Sequence, residues 1–402
     1  MRSQLAAAIT HRAAPLALAL AVLLPQAADA LECGQVLTKN TLLEADLHCP
    51  EGDGLIVGAD GIVIDLGGHL LSGAADIDNP SRGIGIVNEG YDRVEIHGGR
   101  IHGFTPGVHL KEAGDNWVHD LEVRSTTLGG TRQCAPLRGE CLLGGITLLD
   151  SDHNRIENND SGGITDDDMR GISLFRSHHN VLRGNHVRFV FNGIELRDSH
   201  HNRIEGTTNR GCWQDIIDLR RSDYNRVLAN RVGGGDGSSI HLDDAGHNLV
   251  AGNELDGTEV WGIYVTGSAR NRIEWNVLSS CALRVSGDHN RISRNTVEAE
   301  RGETGLIIGG RGNHIAHNHV SDSRSGIRVS ESGRDTFIHG NHTSGNREDG
   351  IRVEDATARI VNNTSIDNGQ YGILAVPGVK GGGNRASGNG AAEQCVEVRC
   401  RR

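Results

Sequence analysis

The chain has 402 residues, a net charge of −12, 3% aromatic residues, 7 prolines and 56 glycines. A hydrophobic content of 36% is poor for one thick globular core and suits a thin core repeated many times, so a solenoid is expected. The negative charge argues against a nucleic-acid partner, because repulsion from phosphates would dominate.

In chain order, the first element is a targeting segment. Arg2, His11 and Arg12 precede an apolar run from Ala13 to Leu24, and Ala28-Asp29-Ala30 offers small residues at the two positions a signal peptidase reads. Residues 1–30 therefore read as a cleaved secretory signal, leaving 31–402 as one domain of a secreted or periplasmic protein, expected to be a monomer. No later run approaches the roughly 20 apolar residues of a membrane span.

The rest of the chain is periodic. A Gly-Ile-x-Leu phrase recurs, its last apolar residue falling at Ile86, Leu110, Leu148, Leu174, Leu196, Leu219, Leu242, Val265, Val285, Ile308, Val329 and Val353. A period of about 22 residues built from such short strand signals predicts an all-β, single-stranded right-handed parallel β-helix of about 12–14 coils. Alternation within each phrase, as in Ile194-Glu195-Leu196, turns the apolar residues inward and the middle one outward. Each unit continues with Asn-x-Ile-x-x-Asn, giving one column through Asn154, Asn180, Asn202 and Asn225 and a second through Asn185, Asn230 and Asn253. These are expected to be corner ladders, since asparagine tolerates left-handed backbone and its amide can bond from coil to coil.

The segment Cys33 to Gly73, with DGLIVGADGIVIDLGGHLLSG, the Gly-Ile-x-Leu coils and the terminal GNRASGNG…QCVEVRC together resemble the secreted right-handed parallel β-helix repeat proteins of the pectin-lyase-like superfamily. The resemblance covers nearly all of the mature chain and implies the fold. It leaves activity open, because that superfamily includes lyases, C5-epimerases, hydrolases, a periplasmic protein of copper maturation and members without known activity.

A solenoid must close its ends. Residues 33–73 are expected to form the N-terminal cap and first coil and 375–402 the C-terminal cap, held by Cys33–Cys49 and Cys395–Cys400. Cys134–Cys141 would pin the longest unit. Cys212 and Cys281 lie about three coils apart, roughly 14 Å at the inter-strand spacing, and are expected to be free.

Stacking aligns residues some 23 apart in sequence. The outward column runs Gly85, His109, Thr147, Ser173, Glu195, Asp218, His241, Tyr264, Arg284, Ile307, Arg328 and Arg352. The consecutive set Glu195, Asp218, His241, Tyr264 and Arg284 joins two carboxylates, an imidazole, a phenol and a guanidinium on one solvent-facing row, and is the candidate catalytic set. Arg197, Asp215, Arg220, Asp243, Trp261 and Trp213 flank it as candidate substrate-binding residues, the indoles where a sugar ring would stack. A bland charge ladder is the alternative.

No cofactor is required by this set. Asp166, Asp167 and Asp168 could hold calcium. The corner histidines His153, His179, His201, His247 and His289 are read as stacking rather than as a copper or zinc site, because Tyr224 and Arg270 interrupt them. The leading functional expectation is C5-proton abstraction from a uronate polysaccharide, as a lyase or epimerase. A glycoside hydrolase using Asp218 with Asp243 or Glu195, and a non-catalytic glycan-binding solenoid, are the alternatives.

Overall fold

The computed structural model describes residues 30–73, 83–125, 144–163, 169–258, 260–299 and 302–401. Every regular element among them is a β-strand, and Glu32–Arg402 form one compact unit. The expected signal segment, Cys134–Cys141 and Asp166–Asp168 lie outside the described residues.

A representative coil contributes three short strands, Ile217–Arg220, Arg226–Leu228 and Arg231–Gly233. Each pairs in parallel with its counterpart one coil later, Ile217 with Ile240, Arg226 with Leu249 and Arg231 with Glu254. The first strands of successive coils make a 16-stranded sheet, here called the first face, and the other two rows make the second and third faces. The predicted parallel solenoid is therefore the fold. Ile217, Leu219, Val227 and Val232 turn inward and stack on the same positions above and below. Burying four such side chains per coil removes apolar surface worth about 1.5–3 kcal/mol each.

The corners are held by asparagine. Asn225 is fully buried; its Oδ1 accepts the backbone N–H of Asn202 at 2.7 Å, and its Nδ2 donates to the carbonyl of Ser199 at 3.0 Å. Asn230 does the same one corner on, accepting from Thr207 N–H and donating to Ile204. The left-handed backbone falls elsewhere than expected. It is the residue before the asparagine that has positive φ: His179 at 57°, His201 at 59°, Tyr224 at 59° and His247 at 58°. The asparagine is needed for its amide, which satisfies backbone groups that the turn takes out of the ladder.

Cys33–Cys49 and Cys395–Cys400 are bridged, and Cys212 and Cys281 are free and buried. No helix among the described residues is long and apolar enough to cross a membrane.

Candidate functional site

The first face brings the predicted set into register. Glu195 pairs with Asp218, Asp218 with His241, His241 with Tyr264 and Tyr264 with Arg284. They do not form one solvent-facing row, however. Asp218 is 0% and Glu195 5% exposed, because neighbouring arginines and Asn192 fold over the carboxylates. Of the five, only Arg284 is exposed, with His241 and Tyr264 intermediate.

The two carboxylates are differently tied. Glu195 is clamped by Arg170 at 2.5 Å and Arg197 at 2.7 Å. Burial would raise its pKa, but the two guanidiniums outweigh burial and hold it below the usual carboxylate range. Asp218 receives Arg220 at 2.7 Å and Asn192 Nδ2 at 3.3 Å on Oδ2, while Oδ1 lies 3.4 Å from His241 Nδ1. Arg197 and Arg220 are thereby committed to this chain's own carboxylates.

Asp215 is drawn into the cluster itself. It was expected to meet substrate, yet its Oδ2 accepts from His241 Nδ1 at 3.1 Å, and its Oδ1 accepts the N–H of Ser238 at 2.8 Å. Asp349 occupies the same repeat position and accepts Tyr371 N–H at 3.1 Å. The carboxylate at this position is thus a backbone clamp that opens the next strand. The second oxygen of Asp215 meets the imidazole of the following coil, whereas past Asp349 the outward residue is Leu374 and the second oxygen lies 3.6 Å from Arg352 instead.

His241 sits between Asp215 and Asp218. Burial alone would lower its pKa, but hydrogen bonding and attraction to both aspartates overcome burial and raise it to about 9. It is therefore an imidazolium at neutral pH, donating from Nδ1, with a covered Nε2 that has no partner among the described residues. Tyr264 stacks on it at 5.1 Å between centroids, Trp261 tilts against Tyr264 at 6.2 Å, and the Arg284 guanidinium lies 5.4 Å and 5.9 Å from those two rings. Among the described residues, no carboxylate reaches Arg284.

The remaining candidates stand apart. Asp243 is in register with Arg220, but no bond links its side chain to the cluster. Trp213 is 49% exposed in a turn and makes no ring contact with Trp261 or Tyr264. Sequence reasoning missed Arg170 and Asn192, which pair with each other in register at the opening of their strands. The signal was there, since Asn192 precedes Glu195 by the spacing that separates Asp215 from Asp218.

Residues 143–287 match the family described as periplasmic copper-binding protein (NosD), and residues 262–398 match the right-handed beta helix region. No curated protein matches the sequence. Among solved structures, the pre-mature bacteriophage phi29 gene product 12 is similar at a TM-score of 0.53 and 12% identity, over 88% of this chain and 53% of that one. The Dettilon tailspike protein gives 0.48 and 18%, over 74% and 62%. A double mutant of the periplasmic alginate epimerase AlgG gives 0.38 and 16%, over 86% and 76%. The chain thus spans between half and two thirds of the two phage proteins, and these likenesses speak to the fold alone.

The copper of the matched family can be tested against the donors present. Among the described residues, one group of three lies close enough for a cation, Asp215, Asp218 and His241. It offers two hard oxygens and a nitrogen already engaged with Asp215, whereas copper(I) takes soft thiolate and thioether ligands. Cys212 and Cys281 are buried thiols whose pKa burial pushes up to about 12. The corner histidines fail as well. His153, His179 and His201 stack face to face, with centroids 4.9–5.0 Å apart and planes within 7°. Their in-plane lone pairs therefore run parallel and do not converge on one ion. These residues do not fit copper(I), and no chemistry is routed through it.

Proposed function

We propose that this right-handed parallel β-helix protein of the pectin-lyase-like superfamily acts on an acidic polysaccharide, removing the C5 proton of a uronate residue and ending in β-elimination or epimerisation. The observation that carries the reading is the row Asp215/Asp218–His241–Tyr264–Arg284. It places a proton donor, a phenol and an uncommitted cation side by side next to an indole.

Each group has a task in that chemistry. Arg284 neutralises the substrate carboxylate, which makes the C5 proton acidic. A sugar ring packs on Trp261. With Tyr264 as the base that takes the C5 proton, the His241 imidazolium delivers a proton to the leaving O4 in elimination or to the opposite face of C5 in epimerisation. Asp215 and Asp218 hold the imidazolium charged and oriented. The hydrolase alternative loses ground because Glu195 and Asp218 are both committed to arginines. Bridged cysteines suit an oxidising compartment, which supports a location in the periplasm or outside the cell.

The test is incubation with a panel of uronate and neutral polysaccharides in D2O. Deuterium at C5, or the near-ultraviolet absorbance of an unsaturated uronate, supports the proposal. Release of reducing ends with neither signal rejects it.

A further inference from the structure

The second face carries a charge pattern that the first face does not explain. In three of its strands an arginine pairs with the carboxylate two residues on: Arg155 with Glu157 at 2.7 Å, Arg203 with Glu205, and Arg272 with Glu274 at 2.8 Å. Arg226 and Arg291 lack that partner and also face another arginine. In the column Arg203, Arg226, Leu249, Arg272, Arg291, Arg226 stands directly opposite Arg203, and Arg291 directly opposite Arg272. Like charges facing each other about 4.8 Å apart are destabilising. Where a carboxylate would relieve them, the chain has Leu228 beside Arg226 and Ser293 beside Arg291. Among the described residues, neither arginine has a carboxylate within ion-pair distance.

Beside them lies an exposed aromatic. Trp275 is 59% exposed, the highest value of any large apolar residue described, and Arg294 lays its guanidinium 5.1 Å over the ring. An indole held flat at a corner, next to unpaired guanidiniums on a chain of net charge −12, is a local cationic platform on an otherwise anionic molecule.

We infer that Arg226, Arg291, Arg294 and Trp275 form a second binding surface for a carboxylated polysaccharide, separate from the first face and without catalytic groups. The guanidiniums supply the counter-charges, and the indole packs against a sugar ring. A glycan is favoured over a nucleic acid because the platform is short, about four coils or some 20 Å long. It would neutralise only a few charges, while the remaining surface repels a long polyanion. The inference does not rest on the reaction proposed above.

The experiment is affinity electrophoresis of the full chain carrying Arg284→Ala, so that retention does not pass through the first face. The gel contains sodium polygalacturonate, or dextran as the neutral control. Retardation by polygalacturonate but not dextran is expected, falling with added salt. Arg226→Glu with Arg291→Glu should weaken it about tenfold, and Trp275→Ala should weaken it several-fold. Arg226→Gln with Arg291→Gln provides a milder pair, and circular dichroism checks that each variant is folded. Unchanged retardation of both double variants, equal retardation by dextran, or displacement by duplex DNA at a lower charge concentration would overturn the inference. If this surface binds while no uronate is turned over, the reaction fails and the surface stands.

Discussion

Asp215 Oδ2 lies 3.1 Å from His241 Nδ1 although 26 residues separate them. The contact exists because one coil lifts the aspartate to the level where the next coil's outward side chain begins. Its consequence is a histidine charged at neutral pH, and the first two expectations below follow from it.

His241 should titrate near pH 9. Its folded pKa is raised, so the stability it contributes is fully present below the unfolded value of about 6.5 and is lost as pH rises through about 9. Asp215→Asn should bring the midpoint down, read by NMR of the labelled imidazole. A midpoint unmoved by that change would mean Asp218 alone sets the charge.

Turnover should fall on the alkaline side as well. If His241 is the acid, the rate declines as pH rises through about 9, and His241→Ala abolishes activity in protein that circular dichroism shows to be folded, with a lowered melting temperature because Asp215 and Asp218 lose their counter-charge. A rate still climbing well past pH 9 would remove the imidazolium from the mechanism.

Glu195 should matter for folding more than for chemistry. Glu195→Ala removes the buried carboxylate that both Arg170 and Arg197 hold and should cost roughly 1–3 kcal/mol in chemical denaturation. Activity per folded molecule should be nearly unchanged. A large loss of turnover with normal stability would show that Glu195 acts in the chemistry.

His109 should make the fold acid-sensitive. It is fully buried, with Nδ1 2.8 Å from Thr147 Oγ1, and burial lowers its pKa to about 4. Below about pH 6.5 the unfolded chain binds the proton that the folded one refuses, so stability is lost as pH falls from 6.5 toward 4. The loss is roughly 2–3 kcal/mol, and His109→Gln should flatten it in denaturation curves taken at pH 7 and pH 4.5.

Cys212 and Cys281 should resist iodoacetamide in the native protein and react after denaturation. Both thiols have pKa values pushed up to about 12 by burial, leaving almost no thiolate at neutral pH. Intact mass should show two added groups only in denaturant.

The sequence by itself determined the coil. Ile217 and Leu219, alternating with Asp218 and recurring 23 residues later at Ile240 and Leu242, leave few other folds, because a period-2 apolar pair that short buries its surface only by stacking on copies of itself. The same arithmetic put Glu195, Asp218, His241, Tyr264 and Arg284 in one register, and spacing left Cys212 and Cys281 unbridged. What spacing could not supply was how each outward side chain is covered and with whom it pairs. Arg170 closing over Glu195, Asn192 over Asp218, and Asp215 reaching diagonally to His241 depend on rotamers and on the offset between coils. A column of residue names carries neither, so only the tertiary structure decided that Glu195 and Asp218 are buried against arginines and that two aspartates converge on His241.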